Sequence, residues 1–482
     1  MFHMERPMYD SEVLIVEKPN DRLSEVPDHV LSSILSLLSI RDAAKARILS
    51  RRWRYICPSI LHLDFDFHTV LGIKYNRYGD SDILQNDTRK FVTGVDQFLE
   101  LYNGQKVDSF SVFFAPRNEY ASHIDQWIRS AIRMKTKRLD LDLSANRQSN
   151  NFYDFPCQLL PHVETSQLKH MCLNSCNLRL SPHLVGRLIS LNKLDLELVP
   201  LDQNSANSIL SGFLNLEWLR LRNSMLPETF CIHGPSLCLK TLIVQHCDGV
   251  NKIEISSVGL TTFEYFGKVK EFTFIDVGYL ERVHLSFHLP FENGTKYMFN
   301  GLANDLPQLQ ILSLDLWTHE VLPVPASISR FCYLKQLELL VSFSFDEDLL
   351  FLAPILDACP ILQKFRLTFL SRLLPKGPRR ELPTRSSREQ QYSKLVHFQL
   401  TEIEVHGFNG APNEVEIIIY LLNNVVSLER MILNPGRRSY LGGGQWRSSG
   451  CLDLPWIVEE KEEAYDLLRK ENFGSPAKLI LL

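Results

Sequence analysis

The stretch LNKLDLELVPLDQNSANSILSGFLNLEWLRLRN, residues 191–223, holds one full period of the pattern that organises this chain. It opens and closes on the same phrase, Leu-x-x-Leu-x-Leu, with a polar residue, Asp195 or Arg220, between the last two leucines. Such alternation marks a β-strand with one buried face, because successive side chains point to opposite sides of the backbone. The intervening NSANSILSGFLN (204–215) reads as a helical or irregular segment that returns the chain to the next parallel strand.

Working outward, related phrases stand at 107 (VDSFSV), 136 (TKRLDL), 168 (LKHMCL), 239 (LKTLIV), 260 (LTTFEY) and 280 (LERVHL). They continue at 309 (LQILSL), 334 (LKQLEL), 362 (LQKFRL), 400 (LTEIEV) and 428 (LERMIL). Their separations are mostly roughly 20 to 30 residues, the range of leucine-rich repeats. An apolar trio at this spacing is common by chance. What lifts the reading is the polar residue inside the trio: Asp140, Asp195, Arg220, His284, Ser313, Glu338, Arg366 and Glu404. No repeat buries its leucines alone, so the stack shares one core. At roughly 1.5 to 3 kcal/mol per fully buried Leu, this ladder is the main source of stability. Asn or Cys is expected just after the strand to satisfy backbone groups in the turn, and Cys176 and Cys247 fall there.

The N-terminal residues 21–66 carry a different pattern. From Pro27, whose fixed φ suits a first helical turn, Val30, Leu31, Ile34, Leu35 and Leu38 fall at helical spacing. Ser39 stands three residues before Asp42 as a capping box does. Ala43, Ala46, Leu49, Trp53 and Ile56 then form a second stripe that Pro58 stops. So short a bundle seldom buries enough apolar area for itself, so its surplus leucines pack on the next domain or on a second protein.

The order Leu23, Pro27, Asp28, Leu31, Ile34, Leu35, Leu38, Asp42, Ala43, then Leu49 to Arg54 and Leu63 to Asp66, resembles the F-box of plant F-box and leucine-rich-repeat proteins. Val26 replaces the usual Leu before Pro, and Cys57 replaces a common second Trp. The resemblance implies a Skp1-like adaptor as partner, and through it a cullin-based ubiquitin ligase. The adaptor face it implies is Val26, Pro27, Leu31, Ile34, Leu35, Asp42, Ala43 and Trp53. The repeats would hold a target protein, and the chain itself would perform no bond chemistry. The alternative is a repeat scaffold or small-ligand receptor that acts outside any ligase.

From Leu395 the sequence resembles the FBD region that closes many such proteins: Ile403 to Phe408, a helix over Glu414 to Leu422, then Leu428 to Met431 leading to Pro435. The expected organisation is a disordered 1–20, the F-box at 21–66, irregular repeats at 100–370, an exposed basic loop at 371–394 and the FBD-like region at 395–475. The fold class is mixed: a short all-α bundle followed by an α/β solenoid. The triple glycine at 442–444 reads as a flexible loop, and the charged segment after Val458 as a helix with one narrow apolar face.

With 482 residues, 45% apolar, 22% charged and a net charge of -4, the chain lacks the concentrated basic character of nucleic-acid binders. No leader pattern and no long uninterrupted apolar run is visible, so no membrane partner is expected and the location is intracellular, cytoplasm and/or nucleus. Ten scattered cysteines suit free thiols. Two Cys/His clusters, His170, Cys172 and Cys176, and Cys231, His233, Cys238, His246 and Cys247, read as packing and turn residues. No metal, no cofactor and no catalytic residue is expected, since no nucleophile elbow, metalloprotease helix or phosphate loop is present.

Overall fold

A computed structural model describes residues 25–38, 41–42, 45–46, 52 and 61–73, then most of 85–482. The longer interruptions are 145–151, 161–166, 180–189, 318–327, 371–396 and 471–477. The expected N-terminal tail, the basic loop and most of the return segment SPHLVGRLIS (181–190) therefore lie outside the described residues.

One sheet of 15 parallel strands, paired in chain order, forms the body of the protein. The strands are β1 His62–Phe65, β2 Ser109–Phe113, β3 Arg138–Asp142, β4 His170–Asn174, β5 Lys193–Glu197, β6 Trp218–Arg222, β7 Thr241–Gln245 and β8 Thr262–Lys268. They continue with β9 Arg282–His288, β10 Ile311–Trp317, β11 Gln336–Ser342, β12 Lys364–Phe369, β13 Glu402–His406, β14 Arg430–Asn434 and β15 Lys478–Leu481. Every Leu-x-x-Leu-x-Leu phrase supplies one of β2 to β14. The register stacks Leu194, Leu219, Leu242 and Phe263 beside one another on the buried face, each no more than 1% exposed. On the other face the polar residues between the leucines line up as a single row from Asp140 to Glu404.

The turn after the strand has a repeated form. Ser175, Leu198, Asn223 and His246 each take a positive φ of 49 to 59°, and the next residue turns inward. At that inner position the Cys247 thiol donates to the carbonyl of Leu221 at 3.6 Å. The Ser224 hydroxyl donates to the Arg222 carbonyl at 2.8 Å and accepts from Val199 N at 3.1 Å. A small polar or thiol group there ties one repeat to the next, because buried backbone groups need partners.

The return segments are short. NSANSILSGFLN gives a helix at Gln203–Gly212, its first turn capped by Asp202, which accepts from Ser205 N at 2.7 Å. The segment before β12 gives a 3-10 turn at Leu349–Leu352 and a helix at Ala353–Asp357. Helices Gln85–Leu101 and Ala121–Arg133 cover the first strands with an aromatic cluster. There Phe91 lies 5.1 Å from Phe114, and both rings meet Trp127 edge-on.

Three features differ from the sequence reading. Leu63 and Phe65, which close the F-box-like segment in sequence, are buried in β1, so the repeat sheet starts there and not near residue 100. A second, three-stranded parallel ladder, Thr229–His233, Lys252–Ser256 and Glu271–Ile275, lies outside the main sheet and was not foreseen. Gly442, Gly443 and Gly444 are not a free loop. They form the turn of an antiparallel hairpin, Arg437–Gly442 with Gln445–Ser449, in which all three take positive φ.

The FBD-like segment prolongs the same stack. β13 ends at Gly407, where φ is 71° and a Cβ would collide with the Phe369 carbonyl. Helix Pro412–Asn424 follows, then β14. The terminal helix Pro455–Lys470 covers this end, with Tyr465 stacked on Phe408 at 5.8 Å. No helix among the described residues is long and apolar enough to cross a membrane.

Candidate protein-binding surfaces

Two surfaces stand out. The first is the N-terminal helix, Asp28–Ser36. Pro27 caps it, its carbonyl accepting from Val30 N and Leu31 N at 3.0 Å each. Arg52, from a later segment, donates to the Val26 carbonyl at 2.6 Å and to Asp28 Oδ1 at 2.5 Å, which clasps the helix start. Leu31 and Leu35 are 0% and 1% exposed and pack with Ala46, flanked by Val26 and Ile34. This cluster is separate from the main core.

The expected adaptor-face residues therefore divide. Pro27 and Asp42 are exposed, and Asp42 pairs with Lys45 at 3.6 Å. Val26 and Ile34 are half-buried, while Leu31 and Leu35 face inward and support the surface instead of forming it. Ala43 and Trp53 lie outside the described residues. Sequence reasoning missed Leu37, which is 86% exposed just beyond the helix. With Val30 and Leu38 it makes an open apolar edge, the kind of surface that a partner covers.

The second surface is the open face of the sheet. Its central row is laced by ion pairs: Arg220 with Asp195, and Arg366 with Glu338 at 2.6 Å and with Glu404 at 2.8 Å. Burial pushes the Glu338 carboxyl up, but the Arg366 guanidinium and the Ser313 hydroxyl outweigh it and hold it below the usual range. The hairpin 437–449 crosses this row. Its Tyr440 hydroxyl reaches Glu264 Oε1 at 2.5 Å, and Gly443 N donates to Glu264 Oε2 at 2.8 Å. Tyr440 also lies 4.4 Å from the His284 ring, which is itself stacked on Phe266 at 4.7 Å.

The hairpin tip leaves a cavity of about 270 Å³ against β3 to β6. Arg138, His170, Lys193, Trp218 and Arg220 line it with Asp140, Asp195 and the backbone of Gly442 and Gly443. Lys193 Nζ sits 3.9 Å over the Trp218 ring. Burial, with the Arg220 charge, lowers the Lys193 ammonium, and burial raises the Asp140 carboxyl despite its bond from Arg138 at 2.7 Å. The lining so brings together three cations, two carboxylates, an imidazole, the Cys172 thiol and an aromatic wall.

Of the sequence-level Cys/His clusters, the first does not converge. His170 and Cys172 lie on the open face of β4, while Cys176 is fully buried in the turn.

Comparison with known proteins agrees with this geometry. The family model described as At1g61320/AtMIF1, LRR domain, matches residues 101–464, and that described as F-box domain matches residues 23–61. A putative F-box/LRR-repeat protein of Arabidopsis thaliana, At5g54820, is 23% identical over 84% of this chain and 88% of its own length. Another, At1g56400, is 24% identical over 61% of this chain but only 54% of its own. The Arabidopsis F-box/FBD/LRR-repeat protein At3g26920 is 23% identical over 88% of this chain and 92% of its own. The repeat match spans most of the chain and runs through the FBD-like segment, just as the sheet does, so the chain belongs to the plant F-box and leucine-rich-repeat family with an AtMIF1-type repeat domain.

Proposed function

We propose that the chain is a substrate-recognition subunit of a Skp1-cullin-F-box ubiquitin ligase. The N-terminal helices dock on the Skp1-like adaptor, and the polar face of β1 to β6, bordered by the hairpin tip beside Trp218, holds the target protein. The chain makes and breaks no bond; it raises the concentration of its target beside a ubiquitin-loaded enzyme brought by the complex. The adaptor face is Val26, Pro27, Ile34, Asp42, Ala43 and Trp53 together with the exposed Val30, Leu37 and Leu38, over the buried support of Leu31 and Leu35. The observation that carries the reading is the small separate cluster around Leu31 and Leu35, which leaves Val30, Leu37 and Leu38 uncovered. Co-purification of the full chain with a Skp1-like adaptor and cullin tests it, together with accumulation of a bound protein when the chain is removed. Failure to form that complex overturns it.

A second reading, a small-ligand receptor, rests on the cavity between Gly442 and Trp218. Its size suits a ligand of modest dimensions, held between the Arg138 and Lys193 cations and the indole. A ligand requirement for target capture distinguishes this reading from direct protein recognition.

A further inference from the structure

The outer ladder carries a set of donors that target recognition does not use. Cys231 and His233 are two residues apart on Thr229–His233, so both project from the face opposite Phe230 and Ile232, which are buried. The parallel register sets Glu254 of the neighbouring strand directly beside Cys231. Glu254 Oε2 lies 3.6 Å from the Cys231 Sγ and 3.8 Å from His233 Nε2, and one ligand atom from each residue falls within 4.8 Å of the others. Neither residue in the sequence cluster around Cys231 foretold Glu254, because 23 positions separate it from Cys231 and only the register joins them.

These distances are close to those between the donors of a bound metal. A tetrahedral zinc with bonds of about 2.3 Å to sulfur and about 2.0 Å to nitrogen and oxygen holds its donors roughly 3.3 to 3.6 Å apart. The 3.6 Å gap from Glu254 Oε2 to the Cys231 sulfur lies at the end of that range, the 3.8 Å gap to His233 Nε2 just above it, and the third gap is no more than 4.8 Å. The carboxylate is also pre-aimed: Oε1 accepts from Lys252 Nζ at 2.6 Å, which leaves Oε2 turned toward the thiol and the imidazole. Cys231 and Glu254 are half-buried and His233 is exposed, so the position has an entry path.

We propose that Cys231, His233 and Glu254 bind one zinc-class divalent cation across two adjacent repeats, with the fourth coordination position open to solvent. The mixture of thiolate, imidazole and carboxylate favours zinc or cobalt over magnesium and calcium, which prefer oxygen donors alone. The Cys231 S–H points its proton at Glu254 Oε2, 3.6 Å away. Binding forms the metal–sulfur bond and releases that proton to solvent. The other charged groups around the position are Lys252 and, 3.8 Å from it, Glu271.

The test is titration of the full chain with cobalt(II). The expected result is one equivalent bound with a sulfur-to-cobalt charge-transfer band and tetrahedral visible bands, displaced by zinc. C231S should abolish the charge-transfer band, and H233Q should weaken binding at least tenfold, while C238S and C332S, at the exposed cysteines, leave both unchanged. Circular dichroism of each variant confirms the fold. The proposal is overturned if no thiolate band forms in the wild-type chain, or if the band survives C231S or is lost in C238S.

Discussion

The Tyr440 hydroxyl donates to Glu264 across 176 residues of chain, and this one bond pins the C-terminal hairpin to the middle of the repeat sheet. Glu264 is 1% exposed and accepts from Gly443 N with its other oxygen, so a buried carboxylate depends on the hairpin for its partners. Y440F should loosen the hairpin without unfolding β8. Hydrogen exchange should show the amides of 437–449 opening roughly 10- to 100-fold faster, as loss of a hydrogen bond to a charged group implies, with those of Thr262–Lys268 unchanged. Equal acceleration throughout would show that the hairpin is not a separable unit.

Glu414 sets a pH window of its own. It is fully buried at the start of helix Pro412–Asn424, where Oε2 accepts from Asn409 N, Gly410 N and Ala411 N at 2.7, 3.0 and 3.3 Å. Burial dominates those bonds and pushes the carboxyl up to about 7. The folded state then holds a proton that the unfolded state has lost, so this contribution is full below the ordinary value of 4.5 and fades as pH rises toward 7. E414Q should flatten the fall in stability over that window, by on the order of 3 kcal/mol at most. Denaturant unfolding at a series of pH values checks this, and an unchanged slope would refute it.

Arg366 shows the opposite sign. It bridges Glu338 and Glu404, and both carboxyls lie below the usual range, Glu404 held there first by His406. Their stabilisation is present above the ordinary carboxylate value and is lost as pH falls through the lowered one. R366M leaves two partly buried carboxylates on either side of an apolar side chain, which should cost about 3 kcal/mol near neutrality and make the variant relatively more stable in acid. The triple variant R366M/E338L/E404L should recover most of the loss. Thermal unfolding at pH 4 and pH 7 separates these outcomes.

These contacts explain what could be read in advance. Strands β2 to β14 were legible because each carries its own alternation, a signal contained within six residues, as in LEWLRL at 216–221, which forms most of Trp218–Arg222. The helix that the FBD resemblance implies over Glu414 to Leu422 is found at Pro412–Asn424. The Tyr440–Glu264 bond was not, since nothing local to Gly442 to Gly444 says which distant strand the hairpin meets. Cys231 and His233 were visible as a pair, but their third neighbour comes from the register of a ladder whose strands lack the leucine phrase. In the N-terminal helix the apolar stripe divides: Leu31 and Leu35 pack on Ala46, whereas Val30 and Leu38 are exposed, and spacing alone does not tell the two sets apart.

That division gives the sharpest test of the adaptor reading. Leu37 is 86% exposed, so L37D removes no intramolecular packing and should change stability by no more than about 0.5 kcal/mol. On the proposed adaptor face it sets a charge in an apolar contact, and binding to a Skp1-like adaptor should fall at least 100-fold. Leu35 is 1% exposed, so L35D buries an unpaired charge and should melt the helix itself. Loss of adaptor binding in L35D alone would then report only unfolding. Loss in L37D with the helical circular dichroism intact reports the interface, whereas full binding by L37D would mean that the adaptor meets another edge of the helix, away from the apolar edge that Val30 and Leu38 share with it.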